Sequence, residues 1–113
     1  MNKRGTGTFY EEAVCNYLKN AGIEILERNY RCSMGEIDII GTQGDVLIFF
    51  EVKYRKNDSF GDALEAVDLK KQKKIINCAN YYLAFKQNDK YIRFDVIGIT
   101  GDNIKWIKDA FCM

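Results

Sequence analysis

Apolar residues follow two kinds of spacing along this chain, and the spacing divides it into seven segments. Helical spacing runs through residues 8–20 and again from the N-cap residue Asp68 to Phe85. Alternating or continuous apolar runs typical of strands cover residues 23–30, 36–40, 46–54 and 91–99, with a short fifth at 104–107. This order predicts a mixed α/β domain in which an antiparallel meander of three strands is followed by one crossover helix.

The connections and the helix faces can also be predicted. A turn-like segment at residues 41–45 joins the second and third strands, and residues 56–61 form a polar loop. The stripe of the long helix predicted to face the core consists of Leu69, Ile76, Ala79 and Leu83, with Ile75 and Tyr82 beside it. A chain of 113 residues is expected to form a single domain, residues 1–113.

Composition excludes several kinds of chemistry. The net charge is +1 and histidine is absent, which removes Ser–His and Cys–His nucleophiles and disfavours the usual structural zinc sites. Four widely spaced cysteines without a Cys-x-x-Cys pair indicate free thiols in a reducing cytoplasm. No secretory signal is expected, because no apolar core follows Lys3 and Arg4. The longest apolar run, residues 46–50, is far too short to cross a bilayer.

The main candidate chemistry involves Asp38 and the tripeptide Glu51-Val52-Lys53, which fall on two strands predicted to pair. Glu51 and Lys53 share one face of their strand, as do Glu36 and Asp38, because side chains alternate. Two carboxylates about 4 Å apart repel by roughly 4 kcal/mol at an effective dielectric constant near 20. Such a pair therefore favours a bound cation or a shared proton. With a lysine beside it, the pair is equipped for metal-assisted attack of water on a phosphate.

These residues also have simpler interpretations. Glu51 and Lys53 could leave the sheet into solvent, and Asp38 could be a strand-edge residue that discourages aggregation. A second acid-x-Lys tripeptide, residues 68–70, is explained fully by helix capping through Asp68.

Other acids are less specific. Glu36 is explained at least as well by a surface ion pair with Arg28 or Arg31. Glu11 and Glu12 are predicted in the first turn of the first helix, where acids suit the positive end of the helix dipole.

Basic and aromatic residues follow the acidic tripeptide. The basic residues form either a solvated surface or a surface that binds phosphates. They are Lys53, Arg55, Lys56, Lys70, Lys71, Lys73 and Lys74. The aromatic residues are expected in the core or an interface rather than as base-stacking platforms: Tyr81, Tyr82, Tyr91 and Trp106.

Short motifs spread over nearly the whole chain resemble, in order, the YraN family of small bacterial proteins. They are Gly7-x-x-x-Glu11-Glu12, Tyr17-Leu18, Arg28-Asn29-Tyr30-Arg31, Gly35-Glu36-Ile37-Asp38, Phe50-Glu51-Val52-Lys53-Tyr54-Arg55, Phe60-Gly61, Ala66-Val67-Asp68-x-x-Lys71, Ala79-x-x-Tyr82-Leu83 and Arg93-Phe94-Asp95-Val96. That family is similar to the restriction-endonuclease-like superfamily, whose signature is an acid, a spacer and then Asp/Glu-x-Lys. The archaeal Holliday-junction resolvases are well-understood relatives. The resemblance implies an α-β-β-β-α-β core with a mixed sheet flanked by helices.

The resemblance also implies roles for individual residues. Asp38, Glu51 and the Val52 carbonyl would bind Mg²⁺ or Mn²⁺, and Lys53 would orient or activate the attacking water. Glu11 corresponds to a helix-borne acid of the resolvases, which leaves open whether a second ion binds.

The implied function is a metal-dependent nuclease that hydrolyses phosphodiester bonds in DNA, with branched or flapped DNA as candidate substrates. Either Lys70 or Lys71 corresponds to a resolvase residue on the helix that follows the tripeptide, and the sequence leaves both open. Nucleic-acid contacts are expected from Arg55, Lys56, Lys70, Lys71 and Lys74. A homodimer is implied by analogy with the resolvases. The alternative is a binding or adaptor module on the same fold that does not cleave.

Overall fold

The computed structural model describes residues 3–55, 67–86, 88–101 and 103–113, and of residues 3–9 and 55 it describes the backbone alone. The elements follow the predicted order: α1 (Lys3–Asn20), β1 (Glu24–Cys32), β2 (Gly35–Gln43), β3 (Val46–Arg55), α2 (Leu69–Ala84), β4 (Tyr91–Thr100) and β5 (Asn103–Phe111). The polar loop predicted at residues 56–61 lies outside the described residues.

The five strands form one mixed sheet in the order β1-β2-β3-β4-β5. β1–β2, β2–β3 and β4–β5 pair antiparallel, whereas β3–β4 pair parallel. A parallel pair needs a crossover connection, and the segment between β3 and β4 contains α2. The predicted meander and crossover are therefore confirmed, and β5 is longer than the predicted segment at 104–107.

Among the residues that the structure describes, each face of the sheet carries one helix and one apolar cluster. On the α2 side the cluster includes Ile37, Phe49, Ile75, Tyr82 and Phe94. On the α1 side it includes Val14, Leu18, Ile39, Phe50 and Ile97. Residues of β3 alternate between the two clusters, so the part of β3 that leads into the Glu51-Val52-Lys53 tripeptide is buried on both faces.

The predicted apolar stripe of α2 is partly wrong. Leu69 is 73% exposed, and the residues that the helix buries are Ile75, Cys78, Ala79 and Tyr82. Their spacing of three and four residues is that of one helix face, and it includes a cysteine that behaves as a small apolar side chain. Ile76 and Leu83 lie at the margin of this face and are partly buried.

Two predicted boundaries are also wrong. β2 and β3 pair as far as Gln43 and Val46, so the turn consists of the two residues Gly44 and Asp45 rather than 41–45. Gly44 adopts a φ of +57°, which glycine allows at low cost. Helix α1 begins at Lys3 rather than near residue 8, because the helix accommodates the glycines that precede it. Glu11 and Glu12 therefore lie in the middle of α1, and the helix dipole does not explain them.

Candidate functional site

The paired part of the β2–β3 hairpin ends at Ile39 and Phe50, and Asp38 is the next residue of β2. Its Oδ2 accepts a hydrogen bond of 2.8 Å from the backbone N–H of Val52. A side chain thus replaces the neighbouring strand as the acceptor for this N–H. The two strands separate here, and the Asp38 carboxylate occupies the space between them.

The side of the sheet to which the side chains of β2 point also changes at Asp38. Ile37 packs in the cluster on the α2 side, whereas Ile39, only two residues later, packs on the α1 side. Simple alternation would give both the same side. On the neighbouring strand β1, Asn29 has a φ of 53° at the same level, between the pairs that Arg28 and Tyr30 form with Ile39 and Ile37. Both strands are therefore irregular beside Asp38.

Glu51 lies beside Asp38 and is buried, with only 6% of its surface exposed. It follows Phe50, which faces α1, so its side chain points towards α2. Burial raises the pKa of Glu51 to about 8, and the hydrogen bond and the negative charge of Asp38 add to that effect. The structure thus joins two carboxyl groups that favour a shared proton or a cation.

Two amines stand next to this pair. Lys71 Nζ lies 3.7 Å from Glu51 Oε2, and the amines of Lys71 and Lys53 are close enough to affect each other's protonation. Burial lowers the pKa of Lys53, as do the contact with the amine of Lys71 and the repulsion by its charge. Burial acts in the same sense on Lys71, but the contact with Lys53 and the attraction of Glu51 and Asp38 raise the pKa of Lys71 overall.

The start of α2 selects Lys71 rather than Lys70. Asp68 is the N-cap, and its Oδ1 accepts a hydrogen bond of 2.8 Å from Lys71 N. Lys71 precedes the buried Ile75 by four residues and so lies over the same helix face, whereas Lys70 is exposed. The spacing from Ile75 is the signal in the sequence that distinguishes the two lysines.

The donor set fits a hard divalent cation. Asp38 and Glu51 supply carboxylate oxygens, which Mg²⁺ and Mn²⁺ prefer, and Mg²⁺ commonly binds through one or two carboxylates and keeps several waters. A cation would offset both the burial of Glu51 and the negative charge of Asp38, which raise the pKa of Glu51. Within residues 10–54, 67–86, 88–101 and 103–113, no group of three or more acidic or thiol side chains is placed to hold a metal. The role predicted for the Val52 carbonyl stays a prediction.

Glu11 is not brought into an acidic cluster with Asp38 and Glu51. Its Oε2 lies 3.4 Å from Asn29 Nδ2 and 3.8 Å from Arg28 Nη2. The neighbouring Glu12 accepts a hydrogen bond of 2.7 Å from Arg28, which lowers the pKa of Glu12. The role of Glu11 as a ligand of a second metal stays a prediction.

The other predicted residues are placed as follows. Glu36 forms an ion pair of 3.5 Å with Arg31, one of its two predicted partners. Lys70, Lys73 and Lys74 are exposed on α2. Lys56 and the side chain of Arg55 lie outside the described residues.

The four aromatic residues divide into two pairs. Tyr82 is buried and Trp106 packs against Phe50, as expected for core residues. Tyr81 and Tyr91 are 42% and 76% exposed, so neither belongs to the core.

A second charged cluster, on the α1 side of the sheet, was not predicted from the sequence. Asp95 is fully buried and accepts hydrogen bonds from Arg93, from Trp106 Nε1 at 2.8 Å and from the backbone N–H of Asp109 at 2.8 Å. These donors occupy both carboxylate oxygens, so the cluster holds β4 and β5 together rather than binding a ligand. The signal in the sequence is a charge inside the apolar run at residues 94–99.

Comparison with known proteins gives a family but no activity. The family model described as uncharacterised protein family UPF0102 matches residues 10–99. The chain is 46% identical over 110 residues to the UPF0102 protein FN1370 of Fusobacterium nucleatum, covering 96% of this chain and 92% of the relative. It is 43% identical over 113 residues to a UPF0102 protein of Lachnoclostridium phytofermentans, covering 98% and 96%. A UPF0102 protein of Nitrosococcus oceani is 41% identical over 114 residues, with 96% and 92% covered.

None of the helices in the part of the chain that the structure describes has the length and apolar character needed to span a membrane.

Proposed function

The chain belongs to the uncharacterised protein family UPF0102, as its resemblance to YraN-like proteins implies, and from its Asp38–Glu51 site we propose that it is a metal-dependent nuclease. The proposed reaction is hydrolysis of phosphodiester bonds in nucleic acid with Mg²⁺ or Mn²⁺. DNA, with branched or flapped structures as candidate substrates, is the substrate class that the resemblance favours.

One observation carries this proposal. A carboxyl pair, in which Glu51 is buried and Asp38 is partly buried, lies against two amines at the point where two adjacent strands separate. An ordinary surface ion-pair network would leave these groups in water, where they cost little. Here Glu51 is buried beside a second acid, which is unfavourable unless a proton or a cation occupies the pair.

Each residue has a role that its position allows. Asp38 and Glu51 would hold the cation, and the hydrogen bond from Val52 N–H would fix the orientation of Asp38. When bound, the cation supplies a Lewis acid that polarises the scissile phosphate and lowers the pKa of a coordinated water. Lys53 would donate hydrogen bonds to the water and the phosphate oxygens, where its charge offsets the growing negative charge. Lys71 would compensate Glu51 and keep the amine of Lys53 in place.

The restriction-endonuclease-like fold is part of the same proposal. Three features support it: Asp38 lies on β2, the Glu51-Val52-Lys53 tripeptide lies on the adjacent strand β3, and β3 pairs parallel with β4 in a mixed sheet. Because many functions share one fold, the proposed activity depends on the site and not on this likeness.

Substrate binding is proposed to use the basic side of α2. Lys70 and Lys74 are exposed on the helix that carries Lys71, and exposed lysines attract phosphates without reading sequence. Arg55 and Lys56 follow the tripeptide after Tyr54 and are proposed to extend this surface. A homodimer that cuts two strands, and a cytoplasmic location, complete the proposal.

Two experiments test the proposal in sequence. Calorimetry with Mn²⁺ should show binding to wild-type protein, and Asp38→Ala should abolish it. Cleavage is then assayed with Mg²⁺ or Mn²⁺ on single-stranded, duplex, flap and four-way DNA and on matched RNA. Lys53→Ala serves as the control preparation, because an activity that survives this substitution unchanged belongs to a contaminant.

The outcomes separate three functions. Metal binding with cleavage supports the nuclease. Nucleic-acid binding without cleavage of any substrate favours the binding or adaptor module, to which the exposed lysines of α2 are equally suited. Absence of metal binding would reduce the site to a buried ion-pair network.

A further inference from the structure

Two cysteines from distant parts of the chain meet at the edge of the sheet. Cys32 is the last residue of the edge strand β1, and Cys78 lies on the buried face of α2. Their Sγ atoms are 3.1 Å apart, although 46 positions separate them in sequence. Both are free thiols in the structure. A disulfide needs an Sγ–Sγ distance of about 2.05 Å, so a movement of roughly 1 Å would suffice for bonding.

The surroundings of the two thiols differ. Cys32 is partly exposed, and its Sγ accepts a hydrogen bond of 3.3 Å from the backbone N–H of Met34. Cys78 is fully buried, with its Sγ 3.6 Å from the carbonyl oxygen of Gly35. An oxidant from solvent therefore reaches Cys32 first.

The pKa values of the two thiols also favour reaction at Cys32 before Cys78. Burial opposes ionisation of Cys32, but hydrogen bonds from Cys78 and from the backbone N–H groups of Met34 and Gly35 lower its pKa overall. Burial raises the pKa of Cys78 to about 12, and the contact with Cys32 adds to that effect. Thiolate character, which reactivity requires, is thus concentrated on the accessible sulfur.

We propose that Cys32 and Cys78 form a reversible redox-modification site, in which a small disulfide oxidant converts the two thiols into one intramolecular disulfide. The Cys32 thiolate attacks a sulfur of oxidised glutathione, forms a mixed disulfide and releases one glutathione thiolate. Cys78 then gives its proton to the released glutathione thiolate, attacks the Cys32 sulfur and expels the second glutathione thiolate. Two protein thiols are oxidised and one glutathione disulfide is reduced to two thiols.

The bond would connect β1 directly to α2. The structure already places these elements together, since the rings of Tyr30 on β1 and Tyr82 on α2 meet edge to face with their centroids 5.1 Å apart. The oxidised chain therefore has its helix fixed against the β1–β2 hairpin. This inference does not depend on the proposed nuclease activity.

The test uses the folded full-length chain in glutathione buffers of graded redox ratio. Free thiols are blocked by alkylation, and non-reducing peptide mass spectrometry identifies the linkage. We expect a Cys32–Cys78 crosslinked peptide that disappears on reduction, together with a Tm several degrees higher in the oxidised protein, because the bond closes a long loop of the unfolded chain. Cys112→Ser should leave the crosslink unchanged, since Cys112 is exposed and remote in sequence.

Cys32→Ser should abolish the crosslink while circular dichroism shows a folded chain. The wild-type linkage is decisive even if this variant fails to fold. Three results would overturn the proposal: a fully thiol-containing protein under oxidising buffer, glutathione retained on Cys32 without transfer to Cys78, or a crosslink that forms only after urea unfolding.

Discussion

Asp38 Oδ2 accepts a hydrogen bond of 2.8 Å from the Val52 backbone N–H immediately beyond the last paired residues of β2 and β3. This contact performs two tasks. It satisfies a backbone donor where the strands separate, and it holds the Asp38 carboxylate beside that of Glu51. The same residue is therefore part of the fold and part of the candidate site, and substitutions can separate the two contributions.

Asp38→Asn should separate charge from hydrogen bonding. The amide oxygen can still accept from Val52 N–H, so we expect the free energy of unfolding to change by about 1 kcal/mol or less. Loss of the carboxylate should weaken Mn²⁺ binding at least about tenfold, because hard cations need charged oxygen ligands. Urea unfolding and calorimetry measure the two effects.

Asp38→Ala removes the hydrogen-bond acceptor as well as the negative charge of Asp38. It leaves the Val52 N–H without its partner, and we expect a further loss of about 1–3 kcal/mol in the free energy of unfolding. Asp45→Asn is the matched control, since Asp45 is an exposed acid in the β2–β3 turn. Equal effects of Asp38→Asn and Asp45→Asn on Mn²⁺ binding would contradict a role for Asp38.

The stability of the metal-free chain should fall as the pH rises through the range set by Glu51. In the folded chain, burial and the neighbouring Asp38 raise the pKa of Glu51 from its ordinary value of 4.5 to about 8. The folded state therefore binds this proton more tightly than the unfolded state. The stabilisation is complete below about pH 4.5 and is lost by about pH 8, with a total on the order of a few kcal/mol.

Urea unfolding with a chelator across this pH range measures the effect. Glu51→Gln stays neutral, so its stability should fall less between pH 4.5 and 8 than that of wild type. Glu24→Gln, at an exposed position of β1, should follow the wild-type curve. Added Mn²⁺ should stabilise wild type most at the alkaline end, where a cation replaces the proton. Identical slopes for Glu51→Gln and wild type would disprove the assignment.

Lys71→Ala should change the protonation of Lys53. Burial, the contact with the amine of Lys71 and the positive charge of Lys71 lower the pKa of Lys53. Removal of Lys71 eliminates the last two effects, so the pKa of Lys53 should rise towards its ordinary value. Nuclear magnetic resonance of the lysine side chains measures this shift without any assay of activity.

Cleavage kinetics extend this prediction to the proposed reaction. Lys71→Ala should lower kcat about tenfold or more, because it leaves the charge of Glu51 uncompensated. Lys73→Ala is the matched control, since Lys73 is exposed on the same helix. An unchanged Lys53 pKa together with an unchanged kcat in Lys71→Ala would exclude Lys71 from the site.

Asp95→Asn should destabilise the fold and leave the site intact. Asp95 is fully buried and forms an ion pair of 2.9 Å with Arg93. Neutralising Asp95 therefore leaves the Arg93 cation with an uncharged amide as its partner. We expect a loss of about 3 kcal/mol in the free energy of unfolding, and Trp106→Phe, which removes one hydrogen bond, should cost about 1 kcal/mol. Asp109→Asn is the control, because Asp109 contacts Asp95 through its backbone N–H, which the substitution retains.

Mn²⁺ binding by folded Asp95→Asn should match wild type, because Asp95 lies on the α1 side of the sheet and Glu51 on the α2 side. A specific loss of metal binding in this variant would show that the two clusters are coupled.

Local patterns predicted the elements because each element depends on neighbours in sequence. Periodicity found both helices and all five strands of the described part of the chain, and the cap at Asp68 located the start of α2 to the residue. Alternation along β3 placed Glu51 and Lys53 on one face, as the structure has them. Errors arose where local preference was weak, as at the start of α1 and the exposed Leu69.

The sequence by itself determined the element order, the family and the acids and lysines of the candidate site, since spacing and short motifs are local properties. Only the tertiary structure decided that Asp38 binds Val52 N–H, that Lys71 rather than Lys70 meets Glu51, and that Cys32 meets Cys78. Each of these contacts joins elements that are far apart along the chain. Their geometry depends on where the strands separate and how α2 is rotated on the sheet, and packing of the whole domain sets both.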